Sequence, residues 1–373
     1  MAEKRSFSID DFDDALYKVV VERNEAVVKK FLTSIDVQNE TLRPALTSSF
    51  LEAACRDAAI LRHFLDVNFD VNATDEDGDT ALMFAARGED TYVYDDVVNE
   101  EDTAGESEPP LMDPPPFTES LHNVEQLLAH GGVDINMANN AGETALIQAM
   151  MIGGQPEIVQ RLLDAKCDVT LADQKGYTAL HYAAVRGQLD NVRMLLQADN
   201  IDIHAKTKDG DSVIYLACTS GNTSVVDEIL KWNPDINAAN NDNQTPLMTA
   251  AIFSSIEIVA KLISCGADVT IRDAFGMTAL HHAVYCGAKL EVVQCLVDAK
   301  SDVNNATDDE MKNTILHDAI TGTTVQVAEY LINQGAAVNA LNSENKTPAM
   351  LAKQVDRDDM IEMLVQHGAE LAP

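Results

Sequence analysis

The side chains best suited to bind a metal ion are His281, His282 and Cys286, which lie close together in the sequence. Imidazole nitrogens and thiolates are ligands that zinc prefers, and a structural zinc site needs four ligands in tetrahedral positions. Residues separated by one and four positions on one helix do not converge on such a point, and no second pair of ligands is in register with them. We therefore predict no metal site here and no bound cofactor.

Motifs of the common enzyme classes are also missing from the sequence. The chain has no glycine-rich phosphate loop that ends in Lys-Ser or Lys-Thr, and no His-Glu-X-X-His pair for a catalytic zinc. It has no Gly-X-Ser-X-Gly turn to carry a nucleophilic serine. Carboxylates are abundant, but no apolar pocket distinguishes a pair of them for acid–base chemistry. The sequence predicts a protein that is not an enzyme.

The charge balance indicates what kind of partner the chain attracts. Asp and Glu number 61 against 26 Lys and Arg, which gives a formal net charge of −35. Nucleic acids and anionic membrane surfaces would be repelled, because both are bound through Lys and Arg. A basic protein segment would be attracted, and its association would be faster at low salt. The acidity also fits a simpler role, which is to keep a long chain soluble.

Cysteine usage and the composition of the N-terminus predict the compartment. The 6 cysteines fall mostly in helical stretches of different segments, a pattern typical of thiols in a reducing compartment. Residues 1–18 contain no apolar stretch, and no apolar run is long enough for a membrane span. We expect a monomer in the cytoplasm or the nucleus.

A tripeptide of the type Thr-X-Leu returns 8 times along the chain, at intervals of 64, 34, 34, 33, 33, 36 and 33 residues. This strict period, broken by one insertion, predicts a stack of small units that contact only their neighbours, and not one globular core. The tripeptides begin at Thr80, Thr144, Thr178, Ser212, Thr245, Thr278, Thr314 and Thr347.

The unit around Thr178 shows how each repeat is built. Asp173 and Gly176 favour a tight turn, because glycine tolerates positive φ and a short acidic side chain caps its own backbone. Thr178 is a good N-cap for a first helix, and Gly187 ends that helix. An apolar stripe at helical spacing then predicts a second helix, with Val192, Leu195 and Leu196 on one face.

These units resemble the ankyrin repeat, whose Thr-Pro-Leu-His-X-Ala signature corresponds here to Thr178-Ala179-Leu180-His181-Tyr182-Ala183 and Thr278-Ala279-Leu280-His281-His282-Ala283. The closing segment of that family is matched by Gly266-Ala267-Asp268-Val269. The resemblance covers residues 40–373 and implies an all-α solenoid of helix-turn-helix units with β-turn fingers, about ten in number. We assign residues 1–40 to a divergent N-terminal helical cap and residues 41–373 to the solenoid.

The long first interval indicates an insertion between the two helices of one unit, at residues 89–119. This segment contains 11 acidic residues, 5 prolines and no Lys or Arg. Such a composition predicts disorder, because it cannot bury enough apolar surface to order itself. The insertion is either functionless, a docking segment, or a flap that competes with a basic ligand.

In a solenoid of this kind, the turn tips and the exposed side of the first helices line one concave surface, where a partner would bind. The preferred anchors are Tyr177, Phe275 and Tyr285, because aromatic residues at solvent-facing positions have little structural purpose. An acidic rim would steer a basic ligand toward them. The full set of predicted contact residues is Asp77, Asp79, Tyr177, Tyr182, Arg186, Phe275, Met277 and Tyr285.

The resemblance also implies roles for histidines and asparagines. His181, His281 and His317 occupy the position that hydrogen bonds to neighbouring turns in this family. Asn136, Asn304 and Asn339 each follow a leucine by eight residues, as in sites accepted by the oxygen-sensing asparagine hydroxylase. The alternative is that these asparagines satisfy backbone groups of their turns.

The leading interpretation is a non-enzymatic scaffold or adaptor that holds a partner segment, expected to be basic, on its concave face. A second hypothesis is an inhibitor or regulatory subunit of an enzyme. A third is an acidic chaperone or decoy for nucleic-acid-binding proteins, in which charge alone provides the affinity.

Overall fold

A computed structural model describes residues 16–87, 117–253 and 255–371, and within these ranges the regular structure is helical. Residues 16–21 are helical and precede the first named helix. The helices are α1 Glu25–Leu32, α2 Arg43–Arg56, α3 Ala58–Asp66, α4 Ala81–Arg87, α5 Phe117–His130, α6 Ala145–Ile152, α7 Pro156–Asp164, α8 Ala179–Val185, α9 Leu189–Leu196, α10 Val213–Thr219, α11 Thr223–Leu230, α12 Pro246–Ile252, α13 Ile256–Ser264, α14 Ala279–Tyr285, α15 Leu290–Asp298, α16 Ile315–Gly322, α17 Val325–Asn333, α18 Pro348–Gln354 and α19 Asp358–Gln366.

The repeated threonine sets where each first helix begins. Thr144, Thr245 and Thr278 have extended backbone angles, and each side chain accepts a hydrogen bond from the backbone N–H three residues later. Each such cap contributes about 1 kcal/mol to helix stability. The structure describes no β-strand in these ranges, but five isolated antiparallel bridges close the turns before the helices, as between Ala172 and Thr178. The predicted all-α repeat fold is confirmed.

The helices pack in one recurring pattern within each of two compact units. Unit 1 comprises the described residues up to Ala183 together with Arg193–Ile201, and unit 2 comprises Ala184–Val192 and the described residues from Asp202 onward. In unit 2, α12 packs against α10, α14 and its own partner α13. In unit 1, α4 packs in the same way against α2, α6 and its partner α5. First helices therefore contact first helices of adjacent repeats.

The core of each unit is aliphatic at the helix contacts. Ala250 and Ala283 on first helices and Leu262 on a second helix are fully buried, because close helix packing requires small residues on the first helices and larger ones on the second. The N-terminal part of unit 1 differs, because the rings of Phe50, Phe64 and Phe69 pack with centroids 5.1–5.9 Å apart. Aromatic packing replaces the usual aliphatic core there.

The turns before the first helices, which we call fingers, share one construction. In the finger of α14, Asp273 Oδ1 accepts hydrogen bonds from the N–H groups of Phe275 and Met277, at 2.9 and 2.8 Å. Adjacent fingers are joined by main-chain bonds, as from Ala274 N–H to the Asp242 carbonyl at 2.9 Å. The backbone of the fingers is therefore fixed, and the side chains at their tips remain free to vary.

The helix after the insertion begins earlier than the sequence indicates. Helix α5 starts at Phe117, four residues before Leu121, where the apolar stripe of this helix begins. The predicted insertion 89–119 therefore overlaps the helix by three residues, and its other residues lie outside the described ranges. Asn123 in α5 is fully buried, and its Nδ2 donates to the Ala54 carbonyl at 2.9 Å, which fixes α5 against the preceding repeat.

The repeat of α16 has an enlarged finger and a buried acid. Asp309 Oδ1 accepts from the N–H groups of Met311 and Lys312, so the three extra residues form an ordered turn. Asp318 in α16 is 7% exposed, and its Oδ2 has no hydrogen-bond partner among the described residues. Burial raises the pKa of Asp318 to about 6, against a hydrogen bond from Asn313 that lowers it, while the charge of Asp309 adds to the rise.

We expect Asp318→Asn to stabilise the protein at neutral pH. The raised pKa means that ionisation of Asp318 costs stability, and this cost is absent below the unfolded pKa of about 4, grows up to the folded pKa, and is complete above it. The gain should be about 1–3 kcal/mol at pH 7.5 and should vanish near pH 4. Urea unfolding at both pH values measures it. Glu310→Gln, on the exposed part of the same finger, is the matched control, and an equal gain at both pH values would refute the explanation.

Candidate functional site

The finger before α14 presents a large apolar side chain to solvent. Phe275 at its tip is 59% exposed, and Met277 is half-buried. Two bonds of Asp273 hold this finger, because Oδ1 closes the turn and Oδ2 lies 2.8 Å from Nε2 of His282 on α14. The Phe275 carbonyl accepts from Asp308 N–H at 2.7 Å, so the next finger supports it as well.

Two further aromatic residues of unit 2 are exposed at the ends of neighbouring first helices. Tyr285, the last residue of α14, is 62% exposed, and Phe253, directly after α12, is 56% exposed. Helices α12 and α14 pack against each other, so these two ring-bearing ends belong to adjacent repeats. Gly322 supports the end of α14, because a Cβ at that position would lie 2.5 Å from the Val284 carbonyl oxygen and 2.8 Å from that of Tyr285.

In unit 1, the predicted contact residues Tyr177 and Tyr182 lie together and are half-buried. Their ring centroids are 5.1 Å apart. The Tyr182 hydroxyl donates to Asp173 Oδ2 at 2.7 Å, while Asp173 Oδ1 accepts from the N–H groups of Lys175 and Tyr177. Burial and the Asp173 carboxylate raise the pKa of Tyr182 well above its ordinary value. Tyr182 therefore fixes its finger, as His282 does in the finger of α14.

The two predicted acidic contacts of unit 1 lie in different environments. Asp77 is exposed at a finger tip, as the sequence indicates. Asp79 is only 5% exposed, because it forms an ion pair with Arg87 and accepts from Asn139 Nδ2 at 2.7 Å and Gln148 Nε2 at 3.0 Å. With these three donors, the buried Asp79 carboxylate joins adjacent repeats. Asp79 therefore does not lie at the surface, where it was expected as a contact residue.

Arg186 is exposed immediately after α8 and belongs to unit 2. The structure thus brings Phe275 and Met277 together on one finger, places Tyr285 on the helix that follows, and pairs Tyr177 with Tyr182. Sequence reasoning missed the bond between the turn acid and the first helix. The signal was available, because an acid five residues before the threonine and a donor four residues after it recur as Asp173 with Tyr182 and Asp273 with His282.

His281 and His317 of the tripeptide motif act as structural links between repeats. His281 Nδ1 accepts from Thr278 N–H at 3.2 Å, and its Nε2–H donates to the Asn305 carbonyl at 3.2 Å. His317 makes the equivalent bond to the Lys346 carbonyl at 2.9 Å. Burial lowers the pKa of His281 to about 4, so its ring is neutral at physiological pH. In the described ranges, no group of three or more His, Cys, Asp or Glu side chains is arranged to hold a metal ion.

The three candidate asparagines are exposed and hydrogen bonded to the following repeat. Asn304 donates through Nδ2 to the Gly335 carbonyl at 3.0 Å and accepts through Oδ1 from Ala337 N–H at 2.8 Å. Asn339 makes the same pair of bonds, to Gly368 and from Glu370, and Asn136 accepts from Asp168 N–H at 2.7 Å. These asparagines therefore bond to backbone groups, as expected, but the groups belong to the next repeat and not to the turn of the asparagine itself.

Comparison with protein families gives a match over most of the chain. A model of ankyrin repeats in three copies matches residues 118–207, 200–273, 259–342 and 280–372. These stretches overlap and together cover more than half of the 373 residues. Among the described residues, no helix is both long and apolar enough to cross a lipid bilayer.

Several curated proteins are similar to parts of the chain. NF-kappa-B inhibitor alpha of Gallus gallus is 30% identical over 203 residues, which are 51% of this chain and 64% of that protein. The B-cell lymphoma 3 protein homolog of Mus musculus is 28% identical over 173 residues, 44% of this chain and 38% of that protein. Palmitoyltransferase AKR1 of Lachancea kluyveri is 26% identical over 196 residues, 51% of this chain and 26% of the enzyme. The chain spans less than two thirds of each relative.

We expect Tyr182→Phe to destabilise the protein by about 1 kcal/mol, because the buried Asp173 Oδ2 loses its hydroxyl donor. The shift in the urea midpoint measures this cost. Tyr285→Phe removes the same atom from a ring that is 62% exposed, so its midpoint should stay unchanged. Equal midpoints for the two variants would contradict the structural role assigned to Tyr182.

Proposed function

The chain belongs to the ankyrin repeat family, and on that premise we propose that it is a non-enzymatic scaffold or adaptor that binds a basic segment of another protein. Ankyrin repeats are protein-interaction repeats, so a protein partner follows from the family itself. The segment would lie across the fingers and the C-terminal ends of the first helices. The observation that carries this proposal is the exposure of Phe253, Phe275 and Tyr285 on consecutive repeats of unit 2.

Exposed rings on a fixed backbone suit partner binding for an energetic reason. Phe275 and Tyr285 are more than half exposed, yet the backbone beneath each is held by hydrogen bonds and close packing. Covering such a ring on binding removes apolar surface from water without the cost of ordering a loop. Buried aromatic residues are frequent hot spots of interfaces, where truncation costs about 2 kcal/mol or more.

The excess of negative charge on the chain supports a basic partner. With a formal net charge of −35, the chain attracts basic segments over several ångströms and repels acidic ones. Exposed acids at finger tips of unit 2, such as Asp209 and Asp242, bring part of this charge to the proposed face. Steering by these charges raises the association rate more than the final affinity. The same charge excess argues against direct contact with nucleic acid or an anionic membrane.

A second function, inhibition or regulation of another protein, is favoured by one comparison. The relative from Gallus gallus carries the name of an inhibitor, and its matched region covers 64% of that protein. A chain that binds a basic surface of its partner would act as an inhibitor wherever that surface is the working site of the partner. Both functions would use the same face of the chain. They differ only in whether the surface of the partner that is covered is the one that the partner needs for its own activity.

We also propose a compartment, an oligomeric state and a modification site for the chain. A monomer in the cytoplasm or nucleus, with its cysteines reduced, fits a chain of this composition. Hydroxylation at Asn304 or Asn339 would leave both hydrogen bonds of the side-chain amide to the next repeat possible, because the added hydroxyl is on Cβ. At Asn136 it would likewise leave the bond from Asp168 N–H possible. Asn304 is the preferred site of the three.

We expect the double variant Phe275→Ala/Tyr285→Ala to lose the partner. The intact chain is immobilised to capture proteins from a lysate, and a captured protein is then titrated against each purified variant. Removing two anchors should raise Kd by at least about 30-fold, which corresponds to about 2 kcal/mol. Trp232→Ala is the control, because Trp232 is 43% exposed but lies beyond the end of a second helix. Unchanged affinity of the double variant would exclude these rings as anchors.

Salt separates an anchored complex from a charge-only decoy. An adaptor that buries aromatic rings should keep its affinity within about tenfold when NaCl rises from about 0.05 to 0.5 M, because screening removes only the long-range attraction. A decoy for nucleic-acid-binding proteins would lose almost all of its affinity over the same range. Titration of a captured partner at four salt concentrations measures the slope. A steep slope together with intact binding by the ring variants would favour the decoy.

A further inference from the structure

A cavity of about 730 Å³ lies in unit 1. It is lined by Tyr17, by the first turns of α2, by the finger residues Thr74–Glu76 and by Phe84 of α4. Helices α2 and α4 are first helices of adjacent repeats and pack against each other. The cavity therefore opens on the side of unit 1 that carries the first helices and the fingers.

The apolar part of the cavity wall is formed by two rings and two aliphatic side chains. Tyr17 is 41% exposed, Phe84 is half-buried, and Pro44 and Leu51 on α2 complete this part. The ring of Phe84 already holds one cation, because Cζ of Arg87 lies 4.7 Å from its centroid. Aromatic rings attract cations through their electron-rich faces, so both the composition and the observed contact fit a positively charged guest.

The polar part of the wall carries an excess of negative charge. The lining includes four acidic residues, Glu40, Glu52, Asp75 and Glu76, and one basic residue, Arg43. Arg43 does not balance them, because it forms an ion pair with Asp70 at 2.6 Å, outside the lining. Glu52 forms an ion pair with Arg56 at 2.8 Å. Neither of these two pairs neutralises the charges of Glu40, Asp75 and Glu76.

The carboxylates at the cavity repel one another. Burial raises the pKa of Asp75, and the charges of Asp79 and Asp77 raise it further, although N–H donors of the turn oppose the shift. Glu40 and Glu76 are exposed at the rim, where they can move toward a guest. A bound cation would relieve this repulsion, whereas an acidic or neutral guest would not.

We propose that this cavity binds an arginine side chain of a partner protein. A guanidinium is flat and weakly hydrated, so it can stack on Tyr17 or Phe84 while its N–H groups bond to carboxylates in fixed directions. Lysine carries a compact, strongly hydrated charge and gains less from the rings. The proposal rests on the proposed function, which requires a basic partner, and it names the residue type that one part of the chain recognises.

The test uses a blocked Gly-Ser-Arg-Ser-Gly peptide, whose single charge avoids unspecific binding of polycations to an acidic protein. We expect fast-exchange shifts of the Tyr17 and Phe84 ring signals in NMR spectra of the full chain, with Kd on the order of 1 mM. A peptide with citrulline in place of arginine keeps the shape and removes the charge, and it should cause no such shifts. Equal shifts with both peptides, or none with either, would overturn the proposal.

Two double variants, one at the rim of the cavity and one in unit 2, test whether binding is specific to the cavity. Glu40→Gln/Glu76→Gln removes two exposed carboxylates and should weaken arginine binding about tenfold. Glu257→Gln/Glu291→Gln removes the same charge from exposed positions on second helices of unit 2 and should change Kd less than about twofold. Equal weakening by both pairs would show a general charge effect and refute a specific cavity. Melting curves of both variants check that the fold is intact.

A captured partner separates this proposal from the general one. If Phe275→Ala/Tyr285→Ala abolishes capture and Glu40→Gln/Glu76→Gln leaves it intact, the binding function stands and the arginine site fails. Capture weakened by both pairs supports both. The chain also carries its own basic pair, Lys4 and Arg5. Tighter peptide binding by Lys4→Ala/Arg5→Ala would assign the cavity to the chain's own terminus and overturn a partner arginine.

Discussion

Each helix pair of this protein can cover its apolar faces only with the pair before it and the pair after it. Within unit 2, helix α12 packs against both α10 and α14, and Ala250 and Ala283 are fully buried. Close spacing of the first helices is what allows His281 of one repeat to reach the Asn305 carbonyl, 3.2 Å away, at the next. The hydrogen bonds between fingers depend on the same spacing, and so does the placement of the exposed rings.

Single polar side chains of the repeats both close a finger and attach it to the first helix. One carboxylate oxygen of Asp273 closes a finger and the other is bonded to the first helix, so a single side chain sets the position of Phe275. The chain has 61 acids and 26 bases, so most of its acids have no basic residue with which to pair one to one. Exposed ion pairs such as Arg272 with Asp308 contribute little stability. The excess of negative charge is therefore not needed to hold the fold together, and a partner can interact with it. Rigid fingers and an unbalanced charge together suit a binding surface.

Much of the fold follows from local sequence signals. The threonine before each first helix, the glycine after it and the period of the tripeptide predict where helices begin and end, and the boundaries of α8 and α14 agree with them. The candidate site was less predictable. Exposure of Phe275 and Tyr285 follows from their positions in the repeat, whereas Asp79 occupies an equally favourable position and is buried. The cavity at Tyr17 and Phe84 was also missed, because its wall is assembled from four segments with no shared motif.

The sequence by itself determined the repeat, its helices, the acidic charge and the family, because each of these depends on residues within one period or on composition alone. Only the tertiary structure decided which polar side chains are engaged and which remain for a partner. Asp79 is bound by Gln148, 69 residues away, and Asp173 is bound by Tyr182 of its own repeat. A hydrogen-bond partner that comes from another repeat, or from across a turn, has no fixed position in the sequence. Its identity depends on which atoms the packing of adjacent repeats brings within about 3 Å.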